Sequence, residues 1–160
     1  MKNTWINEYP QFKPDYTPVE MARVGIFKGA YFNVPQLSIG NADLEIEFLN
    51  SFSAKVFEDL LYSNPNVRKN LYGVDCGMSY EEWLDRGWIN DIDPYGWYNW
   101  YINFYYGRRC SDDSRQIGRW CSFVARHGGM LKYQCSIKNR PITDTSIGLK
   151  TRQNLSSITI

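Results

Sequence analysis

The chain has 160 residues, of which 22% are charged and 43% belong to the apolar set, so disordered and fibrous classes are excluded and one domain over 1–160 is expected. Its net charge of +1 conceals a division: residues 1–100 carry eight Lys/Arg against fourteen Asp/Glu, net −6, and residues 101–160 carry ten against three, net +7. No run approaches the ~18 apolar residues of a membrane span and residues 1–16 lack a basic-then-apolar leader, so the expectation is no membrane association and a cytoplasmic location.

Thr17-Pro18-Val19-Glu20 reads as a capping box that opens a short helix, with Gly25 as its stop. Residues 25–40 mix aromatics with glycine and proline, as a packed loop or short extended piece would. Asn41 is a candidate cap for 42–62, where Leu44, Phe48, Phe52, Val56 and Leu60 recur at steps of four. One helix, or two broken near Asn50-Ser51, both fit that stripe. Asn64-Pro65 restarts the chain for a turn or two to Leu71, and Ser79-Tyr80-Glu81-Glu82 is a second capping box whose helix ends at Gly87.

Asp93-Pro94 has the form of a cap followed by a first-turn proline, which predicts a helix over 94–106. Trp97, Trp100, Tyr101 and Phe104 cluster on one face of it, while Ile102 and Tyr106 lie on another. A helix so widely apolar is the central one of an all-α domain of about six or seven short helices. Gly107 ends it and leaves Arg108-Arg109 where cations complement the helix dipole. Ser111-Asp112-Asp113 then caps a helix over 112–127, which Gly128-Gly129 should end.

Aromatic residues are 16% of the chain, and Tyr (12) outnumbers Phe (8), so many rings are expected to keep a wet edge. Most should fill the core, with a minority left as stacking surfaces for bases or sugars. Cys76, Cys110, Cys121 and Cys135 form no C-x-x-C pair, which points to reduced thiols in a cytoplasm. A zinc site using His127 with cysteines matches no standard spacing, so no metal is expected. The segment Ser146-Ile147-Gly148-Leu149-Lys150-Thr151 lacks the Gly-Lys pair of a phosphate loop, no dinucleotide fingerprint occurs, and no cofactor is expected. Cys121 and Ser122 are poorly spaced from His127 for nucleophilic catalysis, and Asp91 with Asp93 could hold a divalent metal, although Asp93 also has the cap duty.

The most legible surface lies on the helix over 112–127. At about 100° per residue, Ile117, Trp120, Cys121 and Val124 point toward a core, while Arg115, Arg119, Ser122 and Arg126 lie within roughly 40° of a common line on the other side. Solvated helix faces ordinarily interleave acids with bases, yet no Asp or Glu occurs between Ser114 and Thr143. The expectation is therefore a DNA- or RNA-binding protein whose Arg115, Arg119 and Arg126 contact phosphates, with Arg108, Arg109, His127 and Lys132 at the edges and Trp120 available for stacking. Two alternatives stand beside it: a small nucleic-acid-modifying or nucleotide-processing enzyme, and a virion or host-interaction protein whose basic half docks on an acidic partner. The bland reading is that the acidic part neutralises the basic part internally.

Gly73-Val74-Asp75, Trp83-Leu84-x-x-Gly87-Trp88-Ile89, Asp93-Pro94-x-Gly96-Trp97-x-x-Trp100-Tyr101, Gly107-Arg108-Arg109 and Asp113-x-Arg115-Gln116-Ile117-x-Arg119-Trp120 together resemble a family of small proteins of tailed phages and large DNA viruses, with scattered bacterial, fungal and algal copies. Thr17-Pro18-x-Glu20-Met21 and Gly25-Ile26-Phe27-x-Gly29-x-Tyr31 are similar to it as well. The resemblance covers most of the chain and implies a phage-encoded protein, but no activity. Thr151-Arg152-Gln153-Asn154-Leu155 resembles a degenerate form of the family's Arg-Gln-x-Leu-Leu tail.

Overall fold

The computed structural model describes residues 5–157, which form seven α-helices and no strand: α1 Pro18–Val24, α2 Ile46–Asn50, α3 Ala54–Leu61, α4 Tyr80–Asp85, α5 Trp97–Tyr105, α6 Asp113–Ile137 and α7 Leu149–Ser156. The fold is all-α. Among the described residues no helix is long and apolar enough to cross a membrane.

Both capping boxes form. The Thr17 hydroxyl accepts from the Glu20 amide at 3.2 Å while the Glu20 carboxylate accepts from the Thr17 amide at 2.8 Å, and Ser79 with Glu82 repeats the exchange at α4 at 3.2 and 2.7 Å. Gly25 ends α1 with φ 101°, and a Cβ there would lie 2.2 Å from the Lys69 carbonyl oxygen, so only glycine fits.

The stripe over 42–62 is two helices, not one. α2 begins at Ile46, four residues after the expected start, with Asn41 left in a 3₁₀ turn, Ile39–Asn41. The Ser53 hydroxyl accepts from the Val56 amide at 3.3 Å and starts α3 afresh. That break rotates the stripe: Phe48 is buried but Val56 is exposed, and Leu61 packs in its place. After Asn64-Pro65 the chain makes one 3₁₀ turn, Val67–Lys69, the lower bound of the expected turn or two, ending two residues before Leu71.

The predicted start at Asp93-Pro94 is also corrected. Asp93 to Gly96 is a turn, closed by the Gly96 amide on the Asp93 carbonyl at 2.9 Å, and α5 begins at Trp97 because Gly96 adopts φ 97° and interrupts the helical path. Asp93 is therefore free of capping duty. From Trp97 to Phe104 every residue of α5 is buried, as expected of a central helix.

Gly128-Gly129 does not end α6, which runs on through Ile137. Two glycines in a helix cost about 2 kcal/mol relative to alanine. The opposing gain is tertiary: Leu131 and Cys135 bury against Leu155 of α7 with Ile147, and Gln134 accepts from the Thr151 hydroxyl at 3.1 Å. The stop lies at Asn139, left-handed at φ 51°, where the Arg140 amide donates to the Cys135 carbonyl at 3.0 Å and the Asn139 amide to the Ser136 carbonyl at 3.0 Å. This is a Schellman closure with asparagine in place of glycine, followed by Pro141.

The core is aromatic. Phe12 sits at its centre with ring centroids of Trp100, Tyr101, Phe104 and Trp120 at 5.1 to 5.7 Å. Eight of the twelve tyrosines keep an exposed edge, as composition led us to expect, while Tyr31, Tyr95, Tyr98 and Tyr101 are buried; the hydroxyls of Tyr31 and Tyr101 donate to the carbonyls of Tyr95 at 2.6 Å and Tyr16 at 2.7 Å, and Tyr98 donates likewise to Pro18. Backbone carbonyls of Tyr16 and Tyr95, outside the helices, and of Pro18 at the start of α1 satisfy these buried hydroxyls.

Candidate functional site

Six of the seven basic residues singled out in the sequence fall into three groups, and Lys132 stands apart from them. Arg108 leaves the end of α5 and grips Asp93, whose side chain is 0% exposed, through Nη1 on Oδ1 at 2.6 Å, while Asn103 donates to the same oxygen at 3.1 Å. That carboxylate has no room for a metal. Arg109 lies 4.0 Å above the Phe104 ring, donates to the Phe104 carbonyl at 3.1 Å and faces Glu8 at 3.5 Å. Both ion pairs join the acidic and basic parts of the chain, so part of the charge division is neutralised internally.

Arg115 belongs to a second group. Its Nε and Nη2 form a fork on buried Asp112 at 2.5 and 2.9 Å, and the bonds to Asp112 hold its pKa above the usual guanidinium value. The open arginine row predicted over Arg115, Arg119 and Arg126 is thus shortened at its first member, because Asp112, expected as a first-turn carboxylate of α6, takes the Arg115 guanidinium. Asp113 accepts from the Trp100 indole at 2.9 Å and the Cys110 amide at 3.0 Å.

Arg119, Arg126 and His127 form the third group, brought together on one wall of a cavity of about 700 Å³. Arg119 is half-buried, not on the exposed face. It donates to the Trp88 carbonyl at 3.3 Å and to Gln116 at 3.1 Å, and burial followed by the neighbouring Arg115 lowers its pKa. Arg126, seven residues on and so about 10 Å farther along the helix, is exposed and forms no ion pair with a described residue. His127 stacks on Phe123 with centroids 3.8 Å apart, and its Nδ1 lies 3.1 Å from the Phe123 carbonyl oxygen. Burial, opposed by that carbonyl and joined by Arg126, lowers its pKa from the ordinary value, so at neutral pH it is a neutral ring. Lys132 is exposed and lies outside the cavity lining.

The other walls were not legible as a site. Trp83 comes from α4, Trp88 from the following loop, Trp97 from the start of α5 and Trp120 from α6, so four of the six tryptophans line one space. Phe27 and Phe123 complete the aromatic wall, and no Asp or Glu lines it. Phe27 and Lys28 both adopt left-handed backbone, φ 49° and 58°, a strain of about 1 to 3 kcal/mol each. The Asn70 carboxamide holds that turn by accepting from the Lys28 amide at 2.7 Å and donating to the Val74 carbonyl at 2.9 Å. Gly118 also lines the cavity, and a Cβ placed on it meets nothing within 4 Å. A glycine in mid-helix beside the arginine row was the one sequence signal available for this opening.

The cavity is aromatic, uncharged by acids and cationic along one edge. Such a lining suits a flat ring carrying a negative group; a cationic ligand would lack any carboxylate to meet it. Among the described residues no group of three His, Cys, Asp or Glu is placed to hold a metal ion. Comparison of the chain with protein-family models, with curated proteins and with solved structures finds no match.

Proposed function

We propose that the protein binds nucleic acid through phosphate contacts at the α6 end of the aromatic cavity. The observation that carries this reading is Arg126, exposed at the cavity rim without an ion pair to a described residue, with Arg119 behind it and Lys132 beyond in a stretch that contains no acid. Arg108, Arg109 and Arg115 have internal partners and are structural in this reading, so the binding surface is smaller than the seven-residue set. Guanidinium groups match phosphate oxygens in pairs and stay charged when partly buried, which suits Arg119 in particular.

Fluorescence anisotropy with labelled DNA and RNA across about 50 to 200 mM salt tests it. Three cations on a single strand should give a slope of log K against log salt of about −2, at roughly −0.7 per phosphate. Absence of binding at low salt would remove the reading.

His127 favours one alternative, a nucleotide-processing enzyme. A neutral histidine inside an aromatic cavity beside an arginine has the form of a general base. Turnover of a nucleotide substrate, abolished by His127→Gln with the fold intact, would select it.

A further inference from the structure

We infer that the cavity receives one unpaired base of a nucleic-acid strand, so that the protein favours single strands over duplex; this rests on the nucleic-acid reading above and adds the identity of the bound form.

The first argument is the wall. Trp83, Phe27 and Phe123 line the space with partly exposed rings, Trp97 and Trp120 back it from the core, Trp88 lies under the guanidinium groups of Arg119 and Arg86, and a base has a π face to set against such a wall whatever its sequence. At about 700 Å³ the space lies within the roughly 300 to 1,000 Å³ of sites that take a whole small ligand. A base with its sugar falls in that class. A base inside a duplex is covered above and below by its neighbours and cannot reach the rings.

The second argument is charge. No carboxylate lines the space, while Arg119 lies inside and Arg126 at the rim, separated by about 10 Å along α6. An uncharged ring would leave both guanidinium groups without an anion, and a strand supplies phosphate to Arg126 wherever its base enters. The Trp97 indole N–H, buried and without an acceptor among the described residues, is a further donor in the lining residues.

The third argument is that the space is held open. The left-handed turn at Phe27 and Lys28 is maintained against its strain by Asn70, and Gly118 leaves empty the position a side chain on α6 would fill. Loosely packed surfaces do not need either device.

The test uses the full chain and four labelled or unlabelled probes: oligothymidylate, oligouridylate, an abasic strand of equal length and a duplex of equal length, with thymidine and uridine monophosphates as free nucleotides. Anisotropy reports affinity and intrinsic tryptophan fluorescence reports stacking, since four of the six tryptophans line the cavity. The inference expects base-bearing single strands to bind at least about fivefold more tightly than the abasic strand or the duplex, with quenching. Gly118→Phe, which adds a ring at a cavity-lining position where a Cβ meets nothing within 4 Å, should erase that preference and keep salt-dependent binding.

Equal binding of duplex, abasic and base-bearing strands without quenching would overturn the base-in-cavity inference and leave the phosphate reading standing. Binding of none of the polymers would remove both. Tight binding of a free monophosphate with no gain from the strand would overturn the inference in favour of a nucleotide ligand. These comparisons are made on the unaltered chain, so they stand even if Gly118→Phe loses its helical circular dichroism.

Discussion

The Arg119 guanidinium carbon lies 4.8 Å from the centroid of the Trp88 ring, and Nη1 of the same side chain donates to the Trp88 carbonyl at 3.3 Å. One residue of α6 thereby fixes both the ring and the backbone of the loop that forms the opposite wall of the cavity. A half-buried cation over an indole contributes about 1 kcal/mol. A double-mutant cycle of Arg119→Ala and Trp88→Ala, read from urea midpoints, should give a coupling of that size. Additive effects would mean that the two side chains are adjacent without holding one another.

Arg126 and Arg108 should separate binding from folding. Arg126→Gln is expected to lower the salt slope on single strands by about 0.7 and to leave the thermal midpoint unchanged. Arg108→Gln should leave the slope alone and destabilise the fold by about 3 kcal/mol, because it strands the Asp93 carboxylate, which is 0% exposed. The reverse pattern would place the phosphate contacts at the end of α5.

The glycines divide in the same way. Gly118, Gly128 and Gly129 all sit within α6 with nothing near an added Cβ, so alanine at each should raise stability by up to about 1 kcal/mol through helix propensity. Gly25→Ala should unfold the protein or cost several times more, since its Cβ would lie 2.2 Å from the Lys69 carbonyl oxygen at φ 101°. Urea denaturation of the four variants checks both halves.

His127 is the only histidine, so its titration can be followed without ambiguity by proton NMR. Burial holds its folded pKa below 6.5, and the unfolded chain therefore binds more protons in the interval between the two values. Stability should fall as pH drops from above 6.5 to the depressed folded pKa and then level off. His127→Gln should flatten that dependence. A phosphate bound beside the ring favours the imidazolium, so strand affinity should rise as pH falls through the same interval; an affinity indifferent to pH there would place the phosphate away from His127.

Much of the local structure was legible because its causes are local. Thr17 with Glu20 and Ser79 with Glu82 satisfy one another's amides within three residues, and the ring-rich 97–104 segment carries no charge, its two asparagines, Asn99 and Asn103, being buried with partners. Where the reading failed, a distant partner had outweighed a local signal. Gly128-Gly129 is a sound stop until Leu131 and Cys135 find Leu155, which carries the helix on to the closure at Asn139-Arg140 before Pro141. Asp93-Pro94 is a sound start until Gly96 turns left-handed and Arg108 takes the carboxylate.

By itself the sequence determined an all-α chain with a ring-filled core and an arginine-bearing helix that is free of acids beyond its first turn, because propensity, capping and periodicity act over a few residues and survive in any context. Only the tertiary structure decided which arginines are spoken for. Asp112 reaches Arg115 along its own helix, but Asp93 and Glu8 reach Arg108 and Arg109 across 15 residues and about 100 residues of chain, and burial leaves Arg119 under Trp88 with Arg126 alone at the rim. The cavity itself belongs to the same class of fact: its tryptophans come from four separate segments, and what brings them to one space is the packing of α5 and α6, on which sequence spacing is silent.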